Sequence, residues 1–483
     1  MNIAQIIKNQ TIEHQKKTAI IQDNYQITYK ELLDTADNLS SELKTEGIKS
    51  CHRVAILCND GIDYIIITLA VLSINAVIVP VSLSSSKSEI DEILKQIDVN
   101  HFIFDTTKYS QQNAKHIFSN SISPGKFCVY TKKAEKHLPA DYYEMNPAFI
   151  RFSSGTTGVS KGVIISHESI SQRINAADKV LKITPDDVVI WVLSMSFHFV
   201  VTIILFLKKA ATIIVCSNEF YDSLYAGLKN NTGTLIYASP FHYQMMTKSD
   251  LFSPELLSHI RLAISTAMRL SDTEANSFYK KFNLEISQAY GLIEVGLPFI
   301  NDSRDITTRG SVGKILPDYK AKLINIDKQG IGEVHLKGKG MFDAYFVPWQ
   351  SREKVLSNGW FNTGDLGKID GNGFLFLVGR EKNVINFVGM KIFPYEVESV
   401  LNQHPAIRES LVYGVSHSLY GELPCADIVL KDELKTDFAE NEIRKFCFQH
   451  LASYKVPKEI HFVSMLGKTA SEKLKRWHKI SDK

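Results

Sequence analysis

The sequence predicts an α/β protein with a large N-terminal domain of doubly wound sheets and a β subdomain, followed by a small α/β C-terminal domain. Three observations support this prediction. The chain has 483 residues, which is too many for one hydrophobic core. Predicted strands and helices alternate along most of it, as they do in parallel sheets. Between residues 310 and 380 the pattern changes to glycine-containing alternating segments, which are typical of antiparallel strands.

The helix–strand alternation begins near the N-terminus. The helical segment YKELLDTADNLSSELKTEG ends in glycine, a common residue just after a helix. Two more predicted helices are DYIIITLAVLSINA and EIDEILKQIDV, and the predicted strands are RVAILC, AVIVPVS, HFIFD, AFIRF, VIIS, ATIIVC, TLIYASP and RLAIST. Towards the C-terminus the pattern predicts the helix PYEVESVLNQH, the strands ESLVYGV and ADIVLKD, and the helix AENEIRKFCFQHL. We place the boundary in GREKN, which gives domains at 1–381 and 382–483.

Residues 188–207, VVIWVLSMSFHFVVTIILFL, contain no Asp, Glu, Lys or Arg and have the length of a transmembrane helix. However, two aspartates precede the segment, and Ser194, Ser196, His198 and Thr202 interrupt it. We therefore predict a buried strand, a turn and a buried helix, and no transmembrane span.

The composition narrows the class of protein. A hydrophobic content of 44% and a charged content of 22% are ordinary for a globular protein, and a net charge of +3 is too small to indicate a nucleic-acid partner. None of the six cysteines forms a CxxC pair, so the sequence indicates neither a zinc site nor a redox motif. Scattered cysteines and the lack of a signal-peptide pattern favour a cytoplasmic location.

A loop rich in glycine and hydroxyl residues, SSGTTGVSKG, occupies residues 153–162. Glycines allow successive backbone N–H groups to point into one concavity, which can bind an anion. The loop is not a Walker A motif, because Ser160 precedes Lys161 and Gly162 follows it. By itself the loop fits either phosphate binding or a polar hairpin turn.

Five motifs, of which this loop is the first, follow one another in a recognisable order. FSSGTTGVSKG precedes QAYGLIEVG at 288–296, WFNTGD at 360–365, VGREKNVINFVGMKIFPYEVE at 378–398 and GKTASEKLKR at 467–476. This series, together with ITYKELL at 27–33, resembles the adenylate-forming superfamily of acyl-CoA synthetases, peptide-synthetase adenylation domains and luciferases. The resemblance covers nearly the whole chain and is closest to a stand-alone ligase.

The resemblance implies an AMP-forming acid–thiol ligase that uses ATP and Mg²⁺. A carboxylic acid would first become an acyl-adenylate, and a phosphopantetheine thiol would then accept the acyl group. No fused carrier domain is recognisable, so the thiol would belong to CoA or to a separate acyl carrier protein.

The resemblance also assigns residues to ATP. The loop would hold the β- and γ-phosphates, Glu294 would bind Mg²⁺, and Tyr290 would lie against the adenine. Asp365 would accept hydrogen bonds from the ribose hydroxyls, and Arg380 would reach the ribose or a phosphate. The complete implied ATP set is Ser153, Ser154, Gly155, Thr156, Thr157, Gly158, Lys161, Ser265, Thr266, Ala267, Tyr290, Asp365, Arg380 and Lys473.

Two residues would be catalytic, Glu294 through the metal and Lys473 by bridging the attacking carboxylate and the α-phosphate. Lys382 corresponds to the hinge about which the mobile C-terminal domain rotates between the two half-reactions. Gly389 would leave room for the pantetheine arm.

The acid pocket would include Phe197, His198 and Gly291. Amino-acid-activating domains usually place an Asp after the Phe of this motif to pair with the substrate ammonium, whereas this chain has His198. With the apolar VVTIILFL that follows, this favours a fatty or aryl acid. The alternative reading of His198 as a packed core histidine stays open.

Several positions depart from the family pattern. Ser160 and Gly467 stand where proline is usual, Ile293 replaces a threonine, and Glu472 replaces the glycine before Lys473. Two alternatives therefore stay open beside the acid–thiol ligase. One is an amino-acid-activating enzyme, and the other is a nucleotide- or acyl-binding protein that has lost catalysis.

Overall fold

The computed structural model describes residues 1–118, 121–122, 125–152, 161–216, 220–388, 390–417, 419–431, 440–468 and 474. The chain divides into two compact units. The first comprises Met1–Lys320 and Lys337–Phe361, and the second comprises Ala321–Leu336 and Asn362–Lys483. This division places residues 362–381 with the C-terminal part of the chain. It does not test about which residue the two parts would rotate, so the boundary at residue 381 stays a prediction.

The helices in the described residues are α1 (Ile3–Gln10), α2 (Tyr29–Thr45), α3 (Ile62–Ser73), α4 (Lys87–Ile97), α5 (Ala140–Glu144), α6 (His167–Leu181), α7 (Met195–His198), α8 (Ile204–Lys208), α9 (Phe220–Asn230), α10 (Pro240–Lys248), α11 (Asp272–Phe282), α12 (Arg352–Val355), α13 (Pro394–Leu401) and α14 (Glu440–His450). A π-helical segment, Phe199–Ile203, joins α7 to α8, and short 3₁₀ turns cover Ile12–His14, Pro254–Leu257, Ile306–Thr308 and Glu381–Asn383.

The strands up to residue 315 are β1 (Thr18–Gln22), β2 (Tyr25–Thr28), β3 (Arg53–Leu57), β4 (Val77–Pro80), β5 (His101–Asp105), β6 (Lys115–Ile117), β7 (Phe127–Thr131), β8 (Pro147–Phe152), β9 (Gly162–Ser166), β10 (Val188–Trp191), β11 (Thr212–Val215), β12 (Leu235–Ala238), β13 (Leu262–Ser265), β14 (Ile286–Leu292), β15 (Gly296–Ile300) and β16 (Lys314–Ile315). Later strands are β17 (Tyr319–Ile324), β18 (Gly332–Gly338), β19 (Ala344–Tyr345), β20 (Gln350–Ser351), β21 (Phe361–Ile369), β22 (Leu375–Arg380), β23 (Ile385–Phe387), β24 (Met390–Ile392), β25 (Ile407–His417), β26 (Gly421–Leu430) and β27 (Glu459–Phe462).

Two large mixed sheets form the first unit. One has the strand order β16-β15-β14-β13-β12-β10-β11-β1-β2, and its central strands from β14 to β1 run parallel. The other has the order β20-β19-β9-β8-β4-β3-β5-β7-β6, with β8, β4, β3 and β5 parallel. Parallel strands are covered on both faces, which explains their continuous apolar sequences. Together with the smaller sheets described below, the two sheets confirm the predicted α/β fold class.

The apolar helix α3 shows how the helices cover these sheets. Its residues Ile62–Leu72 are all buried, and it packs against the amphipathic helix α2. Helix α2 starts at a capping box in which the hydroxyl of Thr28 accepts from the backbone N–H of Glu31 while the Glu31 carboxylate accepts from the backbone N–H of Thr28. Gly47 follows its C-terminus with φ +88°, as the sequence predicts.

The segment 188–207 folds as predicted, with one addition. It forms β10, then α7, the π-helical segment and α8, all within the first unit. The π-helical segment was not foreseen, because hydrophobic periodicity cannot separate it from a regular helix. No helix in the described part of the chain combines the length and the apolar composition needed to cross a bilayer.

The later strands form two smaller sheets. Strands β17, β18, β21 and β22 pair in that order, which confirms the predicted β subdomain. The C-terminal sheet has the order β24-β23-β26-β25, and β27 also pairs with β26. It carries α13 and α14 on a core of its own that includes Ile392, Val412, Ala426 and Cys447. The predicted C-terminal helices and strands are therefore present.

Candidate active site

Strands β8 and β9 hold the two ends of the glycine-rich loop. They pair antiparallel, with Phe152 opposite Gly162. Packing is tight around Gly162, because a Cβ there would lie 3.0 Å from Ile97 Cδ1 and 3.2 Å from Phe346 Cβ. Residues 153–160 lie outside the described residues, so the predicted roles of Ser153, Ser154, Gly155, Thr156, Thr157 and Gly158 stay predictions.

Lys161, at the end of this loop, meets an aromatic ring. Its ammonium lies 4.6 Å from the ring centroid of Tyr345, a cation–π contact. Tyr345 reaches this position because β19 pairs with β9, with Tyr345 opposite Val163. The pairing of a distant strand therefore fixes the direction of the Lys161 charge.

The same tyrosine contacts the predicted metal ligand. The Tyr345 hydroxyl donates to Glu294 Oε1 over 3.2 Å. Burial and the Glu294 charge raise the pKa of Tyr345 well above its ordinary value, so it stays a donor. The structure thus brings Lys161 and Glu294 to one buried tyrosine that the sequence did not identify.

The backbone around Glu294 is fixed by a buried arginine. Arg173, on α6, donates to the carbonyl oxygens of Ile293 (2.8 Å), Glu294 (3.1 Å) and Gly340. Burial lowers the pKa of Arg173, but three carbonyl acceptors satisfy its guanidinium. A second contact, from the Phe342 N–H to the Glu294 carbonyl at 2.7 Å, holds the same turn.

Glu294 fits a hard cation. Its side chain is only partly buried, and Oε2 has no hydrogen-bond partner in the part of the chain that the structure describes. A carboxylate with one available oxygen suits Mg²⁺, which usually takes one or two carboxylates and completes its shell with water and phosphate oxygens. The Glu294 carboxylate is therefore compatible with the predicted metal-ligand role, which stays a prediction.

The predicted adenine-binding residues meet at the carboxyl ends of parallel strands. Ser265 ends β13 and lies opposite Gln288 of β14, two residues before Tyr290. Ala267 follows with φ +73°, an unusual conformation for a residue with a side chain. Ligands of parallel sheets bind at this edge. The structure thus brings Ser265, Thr266, Ala267 and Tyr290 together.

One buried atom at this edge has no partner. The Ser265 Oγ is buried and makes no hydrogen bond within the described residues. Nearby, the Thr266 hydroxyl donates to the Ala289 carbonyl over 3.4 Å, and the Tyr290 ring is nearly buried. A buried hydroxyl without a partner, next to a residue with positive φ, is typical of a ligand-binding site.

The predicted ribose and hinge residues lie in the second unit. Asp365 and Arg380 are directly opposite each other on β21 and β22, and Arg380 Nε lies 2.9 Å from Asp365 Oδ1. Asp365 is 6% exposed. Lys382 lies two residues further on, in the 3₁₀ turn Glu381–Asn383. The ion pair fixes the carboxylate, and the turn follows directly from the strand that carries Arg380.

The predicted acid-pocket residues lie at the start of the interrupted apolar helix. Phe197 and His198 end α7 and are both partly exposed, so His198 is not a fully buried core residue. Asp60 caps this turn by accepting from the Met195 N–H over 2.8 Å, and burial raises the pKa of Asp60 to about 6. Gly291 is exposed on β14, where a Cβ would lie 3.2 Å from the Gly296 carbonyl oxygen.

Two further predicted positions, Gly389 and Lys473, lie outside the described residues, as do Ser160 and Glu472. Their roles stay predictions. The residues that sequence reasoning missed, Tyr345, Arg173 and Asp60, carry no local motif. Only the pairing of β19 with β9 and the packing of α6 and α7 reveal them.

Comparison with known proteins identifies the class of protein. The fold and the grouped residues define an adenylate-forming α/β enzyme. An AMP-binding enzyme family model matches residues 7–346, which is more than half of the chain, and an AMP-binding enzyme C-terminal domain model matches residues 396–473. The chain belongs to the AMP-binding enzyme family. The predictions of an adenylate-forming protein and of an AMP-forming acid–thiol ligase are confirmed.

Two curated relatives match the chain along almost its full length. The 2-succinylbenzoate–CoA ligase of Bacillus cereus (strain Q1) is 28% identical over 474 residues, covering 95% of this chain and 94% of the relative. The mitochondrial medium-chain acyl-CoA ligase of Bos taurus is 24% identical over 530 residues, covering 97% and 85%.

Solved structures share the fold. The O-succinylbenzoate coenzyme A synthetase of Bacillus subtilis in complex with AMP superposes with a TM-score of 0.84 at 22% identity, covering 99% of this chain and 98% of that one. A benzoate CoA ligase of Burkholderia xenovorans LB400 gives a TM-score of 0.82 at 24% identity, covering 99% of both chains.

Proposed function

We propose that this protein activates an aromatic carboxylic acid with ATP and transfers the acyl group to CoA. The observation that carries this proposal is the match to 2-succinylbenzoate–CoA ligase over 95% of the chain. The partly exposed Phe197 and His198 support it, since they stand beside an apolar helical segment and offer no carboxylate to an amino-acid ammonium.

In the first half-reaction, charge develops on the departing pyrophosphate. Lys161, held over the Tyr345 ring, would stabilise that charge together with the loop at 153–160. Mg²⁺ held by Glu294 would neutralise phosphate oxygens when bound. The Tyr345 hydroxyl would keep the Glu294 carboxylate in one orientation as these charges change.

Two groups of predicted residues would recognise the nucleoside. Tyr290 and the backbone of residues 265–267 would hold the adenine at the edge of β13 and β14. Asp365 would accept from the ribose hydroxyls, with Arg380 pairing with its carboxylate and orienting it.

The remaining roles depend on residues outside the described part of the chain. Lys473 would bring the attacking carboxylate and the α-phosphate together, and Gly389 would leave room for the pantetheine thiol. Rotation about Lys382 would exchange these two arrangements.

A medium-chain fatty acid is the second candidate substrate. The bovine medium-chain acyl-CoA ligase covers 97% of the chain, so an aliphatic pocket has support of its own. A separate carrier protein in place of CoA would use the same pantetheine thiol. The cytoplasmic location stays a prediction, which cell fractionation would test.

The deciding experiment measures pyrophosphate release from ATP and Mg²⁺ with aryl acids, medium-chain fatty acids and amino acids. CoA or a phosphopantetheinylated carrier protein is then added, and the thioester is identified by mass spectrometry. Lys473→Ala should abolish pyrophosphate release, whereas Lys479→Ala in the same C-terminal segment should not. Release only with amino acids would overturn the proposal. Tight ATP binding without release for any acid would instead support a binding protein that has lost catalysis.

A further inference from the structure

Arg151 places a cation next to the predicted acid pocket. It lies on β8 two residues after Phe149, whose ring centroid is 6.2 Å from that of Phe199. Side chains two residues apart on a strand share a face, so Arg151 stands over the same helical segment. Its Nη2 donates to the carbonyl oxygen of Phe197, beside His198.

The guanidinium of Arg151 has few hydrogen-bond acceptors around it in the described part of the chain. It has five N–H donors, and the backbone carbonyl of Phe197 is the one hydrogen-bond acceptor that its side chain has within the described residues. No carboxylate of that part of the chain forms an ion pair with it. Burial and the nearby Arg173 charge lower the pKa of Arg151 to about 10, which leaves it cationic at neutral pH. The Glu294 charge lies within electrostatic range of Arg151 but forms no ion pair with it. A partly buried cation without a directly paired carboxylate is costly, and a single carbonyl could be bound by a neutral side chain instead.

A buried hydroxyl adds a second unmatched donor at the same place. Tyr64, on α3, is 1% exposed, and its hydroxyl has no hydrogen-bond partner among the described residues. Its ring centroid lies 5.7 Å from that of Phe199, and its hydroxyl is within electrostatic range of Arg151. Two donors from different elements therefore face the segment that carries Phe197 and His198.

We propose that Arg151 and Tyr64 form an anion subsite in the acid pocket, and that the substrate is a dicarboxylic acid whose second, non-reacting carboxylate binds there. This inference rests on the proposed function. A carboxylate would supply the direct ion pair that Arg151 does not form within the described residues and an acceptor for the Tyr64 hydroxyl. The subsite would reject monocarboxylic acids, because they would leave both donors buried and unpaired.

The test compares two acids that differ only in the ring carboxylate, 2-succinylbenzoate and 4-oxo-4-phenylbutanoate. The wild-type protein should show the higher kcat/KM for the dicarboxylate. Arg151→Gln should lower that value by about 10- to 100-fold, as expected for a lost charge-assisted pair, with less than about 3-fold change for the monocarboxylate. Tyr64→Phe should cause a smaller loss, and Arg151→Lys should recover part of the activity. The exposed Arg304→Gln controls for the change in net charge.

Calorimetric binding of both acids, with and without ATP, separates this inference from the proposed function. Arg151-dependent binding of the dicarboxylate without pyrophosphate release would support the subsite and remove the enzymatic proposal. Release with both acids alike, and equal losses for both in Arg151→Gln, would overturn the subsite and leave the function standing. Unchanged ATP binding in each variant confirms that it is folded.

Discussion

At the scale of single residues, one tyrosine links two predicted functional groups. The ring centroid of Tyr345 lies 4.6 Å from the Lys161 ammonium, and the Tyr345 hydroxyl donates a hydrogen bond to the Glu294 carboxylate. Lys161 and Glu294 belong to motifs that are recognisable in the sequence, whereas Tyr345 belongs to none of these motifs. Its ring and its hydroxyl therefore have separable roles.

Substitution of Tyr345 should separate those roles. Tyr345→Phe keeps the ring and removes the hydrogen bond, so kcat/KM for ATP should fall about 5-fold and the Mg²⁺ concentration for half-maximal activity should rise. Tyr345→Leu also removes the cation–π contact and should lower kcat/KM about 5-fold further. Pyrophosphate release at varied ATP and Mg²⁺ measures both effects, and the exposed Tyr25→Phe is the control. Equal activity of the two Tyr345 variants would contradict a role for the ring.

A second residue, His167, connects pH to stability. It is fully buried, and its Nδ1 accepts from the Ile3 N–H over 3.1 Å, which ties α1 to the start of α6. Burial lowers the pKa of His167 to about 4 from an ordinary 6.5. Between these values the unfolded chain binds a proton that the folded chain does not. The stability contributed by the neutral His167 is therefore fully present above pH 6.5 and is lost as the pH falls towards 4.

His167→Asn should remove that part of the pH dependence. Between pH 7 and pH 4 the free energy of unfolding of the wild type should fall by as much as about 3 kcal/mol more than that of the variant, because each pKa unit corresponds to about 1.4 kcal/mol. Urea unfolding at a series of pH values measures the slope of the free energy of unfolding against pH. A loss of packing that is the same at every pH does not change this slope. The exposed His259→Asn should leave the slope unchanged. Parallel curves for the wild type and His167→Asn would rule out this explanation.

At the scale of elements, strand pairing and helix ends position the site. The pairing of β19 with β9 places Tyr345 opposite Val163, near Lys161. The pairing of β22 with β21 places Arg380 opposite Asp365. Helix α2, which packs on the buried helix α3, begins at the reciprocal hydrogen bonds between Thr28 and Glu31. The N-terminal end of the helix therefore depends on one hydroxyl.

Thr28→Ala should destabilise α2 by about 1 kcal/mol, because it leaves the Glu31 N–H without its acceptor. Hydrogen exchange of the amides in residues 29–45 should become faster in the first turns of the helix. Thr45→Ala, at the exposed C-terminal end of the same helix, should be neutral or slightly stabilising. Equal protection in the two variants would show that the capping box does not limit this helix.

At the scale of the whole molecule, the predicted site residues fall into both units. Lys161, Glu294 and Tyr290 belong to the first, while Asp365, Arg380 and Lys382 belong to the second. The sequence predicts that Lys382 is the hinge between the two half-reactions.

Lys382→Pro tests this whole-molecule prediction. Proline fixes φ near −65°, a value suited to the 3₁₀ turn at 381–383 but not to rotation about it. Adenylation should stay within about 3-fold of wild type, while thioester formation should slow by 10-fold or more, the order expected when closure limits turnover. Lys382→Ala, which leaves φ unrestrained, is the control. Equal slowing of both half-reactions would place the effect in folding rather than in rotation.

The sequence alone determined the fold class and most of the motif residues, because both depend on local patterns. The alternation of apolar strands and helices specified the parallel sheets, and the break in residues 188–207 specified a buried strand and helix. The motifs predict Lys161, Glu294, Tyr290 and Asp365 as site residues, because phosphate, metal and ribose binding require particular side chains at particular turns.

Only the tertiary structure decided which side chains meet. Tyr345 reaches Lys161 and Glu294 through a strand pairing across 180 residues of chain or more, between β9 and β19. Arg173 reaches three carbonyls through the packing of α6, and Arg151 comes near Tyr64 because Phe149 of β8 and Tyr64 of α3 both pack against Phe199. Such contacts leave no periodic trace in the sequence, since each partner is simply one polar residue in an otherwise ordinary strand or helix.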